Sequence, residues 1–68
     1  MTSKEIRARV KKIKNVQGDP EYAHSEESGL YEEFVTYVVN SESTPPDLAE
    51  KAKLVLRTKN IDFPRWIA

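Results

Sequence analysis

The chain's 68 residues include no cysteine, one histidine and two glycines, and no apolar run reaches membrane-spanning length. Each scarcity removes a class of protein. Without cysteine there is no disulfide framework and no thiolate metal site. A single histidine leaves no imidazole pair, and neither a nucleophile elbow nor a glycine-rich phosphate loop is present. An enzyme is therefore not expected, and no cofactor is implied. A membrane helix needs about 20 apolar residues in succession, and the sequence has no such run. The opening MTSKEIRARV also lacks the apolar core of a secretory signal. The expectation is a cytoplasmic protein with no membrane partner. A chain of this size buries only about 60% of its unfolded surface. With the usual staples missing, efficient helix packing or a partner, a second copy included, must supply the rest.

What is present is charge, and it is segregated. The net charge is zero, yet Lys4, Arg7, Arg9, Lys11, Lys12 and Lys14 face only Glu5 in the first 14 residues. Residues 19–50 carry nine acids and no Lys or Arg, and from Lys51 onward five cations stand against Asp62. Two readings follow: basic elements pair with the acidic one across their edges, or the basic first segment faces an external polyanion.

The breakers divide the sequence into one all-α domain, residues 1–68, of three helices at about 3–17, 20–40 and 45–59, closed by an apolar strap. In the first helix Ile6, Val10, Ile13 and Val16 form a narrow stripe, and Gly18 is a candidate left-handed cap. In the second, Asp19 caps, Pro20 suits the first position and Glu21 complements the dipole. Ala23, Leu30, Phe34, Tyr37 and Val38 share its apolar face, which Tyr31 and Val35 widen. Ser28-Gly29 is its weak point, and Ser25 could restart the helix there, which leaves room for a kink near residues 25–29. In the third, Thr44-Pro45-Pro46-Asp47 is a start signal, and Leu48, Ala52, Val55 and Leu56 form the stripe. Asn60 is its candidate left-handed cap, and Leu54 points away from that stripe. The tail IDFPRWIA is too apolar for a free end. Phe63, Trp66 and Ile67 should fold back over the helices; the alternative is a peptide that docks into another protein.

The densest chemistry lies in residues 19–34. Glu27 falls near the centre of the apolar stripe, a violation of the binary pattern, and a buried carboxylate needs a partner. His24, Tyr31, Arg65 and the Trp66 indole are the candidates. The structural reading is a pin: Arg65 or Trp66 meets Glu27 or His24 and holds the tail beside the second helix. A metal reading takes Glu21, His24 and Glu27 as ligands, since Glu-x-x-His spacing occurs inside helical bundles, although one helix supplies too few. A catalytic reading makes His24 a general base oriented by Glu27.

The pattern D-x-E-x-A-H-S-x-E-x-x-L-Y-E-x-F is carried here by Asp19, Glu21, Ala23, His24, Ser25, Glu27, Leu30 and Tyr31. T-x-x-I-D-F-P-R-W follows near the end, through Ile61, Asp62, Phe63, Pro64, Arg65 and Trp66. Together they resemble a group of very small bacterial and phage-type helical proteins, from about Ile6 to the end. The resemblance implies a compact fold in which the acidic stretch and the tail form one unit. It implies no substrate, cofactor or mechanism.

Function is expected to be protein interaction or an accessory role, with a protein partner or a homodimer. His24, Glu27, Tyr31, Arg65 and Trp66 are the candidate contacts, and Tyr22, Leu54 and Trp66 are anchors that do not all fit a small core. The rival is nucleic-acid binding by Lys4, Arg7, Lys11, Lys12 and Lys14. The absence of aromatic side chains from that helix and the neutral overall charge weigh against it.

Overall fold

The computed structural model of the chain describes residues 1–41 and 44–65. Its elements run in order α1 (Ser3–Asn15), α2 (Pro20–Asn40), α3 (Leu48–Leu56) and a short 3-10 helix, η1 (Arg57–Asn60). The protein is an all-α three-helix domain, with no strand among the described residues.

Local chemistry starts the first two helices where the sequence places them. The Thr2 hydroxyl accepts from the Glu5 amide at 3.1 Å, and the Asp19 carboxylate accepts from the Tyr22 amide at 3.2 Å. Each satisfies one of the orphan donors of a first turn. Pro20 occupies the first turn of α2, where its missing N–H costs nothing.

The ends depart from expectation. No residue with positive φ occurs among the described residues, so neither Gly18 nor Asn60 is a left-handed cap. α1 stops at Asn15, and the Val16 amide bonds to the Lys12 and Ile13 carbonyls at 3.2 Å each. A tight turn, with the Asp19 amide on the Val16 carbonyl at 2.9 Å, then leads directly into the next cap. α3 begins at Leu48 rather than Pro45, and the Asp47 side chain makes no capping bond. The prolines instead form a turn closed by the Leu48 amide on the Pro45 carbonyl at 3.2 Å. α2 passes through Ser28-Gly29 as one unbroken helix of 21 residues. Arg9 of α1 lies against that turn, 3.5 Å from where a Gly29 Cβ would stand.

The core is Ile6, Ile13, Ala23, Leu30, Leu54, Val55, Ile61 and Phe63, with Val10, Val16, Tyr31 and Phe34 packed around it. α1 lies against both other helices, so its narrow stripe is the centre of the domain. On α3 the buried face differs from the expected one. Leu54 is only 8% exposed while Leu56 is 52% exposed. The face that packs is Lys51, Leu54, Val55 and Thr58, spaced i, i+3, i+4, i+7 as a helix requires. Two polar residues in that set hid it from a hydrophobicity reading. Lys51 extends along the core edge to bond the Tyr37 hydroxyl at 3.2 Å and pair with Asp47 at 3.2 Å. The hydrogen bond to Tyr37, assisted by Asp47, holds its ammonium above the ordinary lysine range despite partial desolvation.

The tail folds back as expected: Ile61 and Phe63 are buried. The other tail anchors, Trp66 and Ile67, lie outside the described residues. Far along α2 the apolar face runs out. Val38 and Val35, expected in the core, are 37% and 60% exposed. At 1.5 Å per residue, the 21-residue α2 outruns the 13-residue α1 and its last turns overhang.

Gly29→Ala should stabilise the domain by about 1 kcal/mol, because the backbone there is helical and glycine forfeits that much in a helix interior. The added methyl meets Arg9 at ordinary contact distance. Thermal unfolding followed by circular dichroism should show Tm rising by about 4–8 °C for a domain of this size. A lower Tm would mean that Arg9 needs the space.

Candidate functional site

Glu27 is buried near the middle of the α2 apolar face, 6% exposed, and its partner is Arg65. The guanidinium meets the carboxylate side-on, Nε to Oε1 and Nη2 to Oε2, both at 2.9 Å. This two-bond geometry is the strong form of the pair. Arg65 also donates to three backbone carbonyls of its own segment: Thr58 at 2.7 Å, Ile61 at 3.2 Å and Phe63 at 3.1 Å. Its guanidinium carbon stands 3.9 Å from the Phe63 ring centroid, a cation–π contact. One side chain thus straps the turn after α3 and the tail onto α2.

Burial by itself would raise the Glu27 pKa. The hydrogen bonds from Arg65 and the Thr58 hydroxyl, with the positive charges of Arg65 and His24, outweigh it and hold the carboxyl below the ordinary glutamate range. Thr58 is fully buried, and its hydroxyl also shares a 2.7 Å hydrogen bond with the Tyr31 hydroxyl. Glu27, Arg65 and Tyr31 therefore meet as the sequence suggested, with Thr58 as the unanticipated fourth member. His24 is half-buried beside them, within electrostatic reach of Glu27.

Chemically this cluster is saturated. Both Glu27 oxygens accept from Arg65 and the carboxylate is buried, while Glu21 sits exposed one turn away from His24. Among the described residues no group of three or more His, Asp or Glu side chains converges on a point that could hold a metal ion. The spacing that evokes a ligand set places Glu21 on the solvent side and Glu27 in the core.

The basic residues of α1 divide between two faces. Arg9 pairs with Glu33 and Lys12 with Glu26 at 3.4 Å, joining α1 to the acidic α2. Arg7, Lys11 and Lys14 turn the other way, toward α3 and η1, where they rim a cleft of ≈ 490 Å³. Arg57 of η1 completes the rim, and Val10, Leu54 and Ile61 make the floor. Among the described residues no carboxylate lines the cleft, and its four rim cations form no ion pair. Like charges around a concave surface with an apolar floor focus a positive potential outward. The pairing of basic and acidic elements across their edges thus holds for Arg9 and Lys12, on one side of the helix.

Of the cations expected to contact a polyanion, Lys12 is turned into a pair with α2 and Lys4 lies outside the cleft. Arg57 was missed. The signal for α1 was legible: Arg7, Val10, Lys11 and Lys14 stand at i, i+3, i+4 and i+7, one face of a helix. No comparable pattern announces Arg57, which joins by tertiary packing.

Comparison with protein-family models, with curated proteins and with solved structures finds no match for this chain.

Glu27→Gln should cost about 1–3 kcal/mol, the loss of a charge-assisted hydrogen-bond pair. The lower part of that range is expected, because 34% of the Arg65 side chain remains in solvent and water screens the pair. Because the folded carboxyl titrates below its unfolded value, its contribution is fully present above about pH 4.3. It is lost as pH falls through the lower folded value. Urea titrations across the acid range should therefore show a shallower decline in the variant than in the native chain. Parallel curves would remove Glu27 from this role.

Proposed function

We propose that this chain is a small non-enzymatic interaction module whose binding surface is the cleft between α1 and η1. The observation that supports the reading is the lining: four cations, in no ion pair among the described residues, around an apolar floor. A saturated ion-pair cluster performs no proton transfer, whereas an unpaired cationic rim gains free energy when an anionic partner arrives and releases counterions. At ≈ 490 Å³ the cleft falls in the size range of ligand-binding pockets, about 300–1,000 Å³. It takes a partner that offers carboxylates beside an apolar side chain, as an acidic amphipathic helix does.

Nucleic acid is the weaker reading. Three of its expected contacts, Arg7, Lys11 and Lys14, do line the cleft, but among the described residues no aromatic side chain is there to stack a base. A duplex is read by a protruding element, and these cations surround a depression.

The test is fluorescence anisotropy with a labelled helical peptide of glutamate and leucine, against labelled single- and double-stranded oligonucleotides. The peptide should bind, weaken with salt, and lose about ten-fold or more in affinity on Arg57→Glu, a change of roughly 1.4 kcal/mol. Oligonucleotide binding tighter than peptide binding would replace this reading with the polyanion one.

A further inference from the structure

The outward stripe of α2 carries the complement of that cleft. Glu21, Ser25, Ser28, Glu32, Val35 and Val39 follow one another at four, three, four, three and four residues, the spacing of one helix face. Every one of them is exposed. Val35 and Val39 are 60% and 75% exposed, and they sit on the overhang, where no other element covers them. Glu32 lies beside them and takes no part in an ion pair among the described residues. The last turn of α2 contains no basic residue of its own, and the negative end of a helix dipole favours a cation.

The dimensions agree as well. Glu32 to Val39 and Arg7 to Lys14 are both seven-residue steps along a helix, about 10 Å each. One presents carboxylate, valine and negative helix end; the other presents cations flanking a valine floor.

We infer that the occupant of the cleft is the end of α2 from a second copy of this chain. The inference rests on the cleft being a binding surface. In such a contact Val35 and Val39 lie against Val10, Leu54 and Ile61, while Glu32 and the helix end meet Lys14, Lys11 and Arg57. The cleft lies on the far side of α1 from α2, and the stripe lies on the side of α2 that faces away from the core. The two patches are different surfaces, so the contact is head-to-tail, and association continues with concentration instead of stopping at a pair. The segregation of a neutral chain into basic and acidic faces, which internal pairs use only in part, is then consumed between molecules.

Sedimentation equilibrium of the full chain tests this. At low salt the weight-average mass should exceed the 7.8 kDa monomer and rise with concentration. It should return toward the monomer near 1 M salt, where the screening length falls to about 3 Å. Lys14→Glu and Glu32→Lys, both at exposed positions, should each be monomeric and folded by circular dichroism. Mixed in equal amounts they should associate again, because opposite charges then face each other at both alternating contacts. A native chain that stays at the monomer mass throughout overturns the inference, as does a mixture that fails to recover. The peptide measurement separates this failure from that of the cleft: peptide binding by a monomeric chain leaves the cleft with another acidic partner, and no peptide binding removes both.

Discussion

A carboxylate buried inside a small core must be answered, and in this protein the answer comes from the far end of the chain. Glu27 and Arg65 are 38 residues apart and meet through two parallel hydrogen bonds. That pairing draws residues 61–65 over the helices and brings Ile61 and Phe63 into the core. It also fixes η1, since the Thr58 carbonyl and hydroxyl both belong to the same network. With no disulfide to close the chain, the pin supplies a long-range tie with defined geometry. A bidentate guanidinium cannot slide along its partner as a methyl group can. Its worth lies less in net stability, because buried pairs roughly offset their own desolvation, than in fixing where the tail lies.

The position of η1 has a functional consequence. Arg57 and Ile61 reach the cleft because the turn after α3 is held where it is. The apolar floor and the fourth rim cation are thus products of the same packing that answers Glu27. The saturated cluster and the unpaired cleft are the inner and outer sides of one construction. One side satisfies its charges within the chain, and the other carries cations that form no ion pair among the described residues.

Much of this was legible in the residues. The α1 stripe, the cap at Asp19, the end of α2 at Asn40 and the return of the tail follow from periodicity, cap chemistry and the cost of exposing large apolar groups. Glu27 announced itself as a carboxylate on an apolar face, and Arg65 was among its expected partners. What the residues hid was rotation and reach. The α3 face contains Lys51 and Thr58, whose side-chain polar atoms find partners in Tyr37 and Asp47 and in Tyr31 and Glu27. A pattern of hydrophobicity therefore selected Leu56 over Leu54. Gly29 suggested a weak point where α2 runs unbroken, and Pro45-Pro46 suggested a first helical turn that instead became a loop turn.

By itself the sequence determined the helices, because their periods, caps and breakers act over one or two turns, and it determined that charge would be segregated along the chain. Tertiary structure decided which charges cancel. Arg9 and Lys12 differ from Arg7, Lys11 and Lys14 only by their angle around α1. That angle has meaning only once α2 lies on one side and η1 on the other. Coulomb pairing at a few ångströms is a property of the packed arrangement, and a list of residues in order does not contain it.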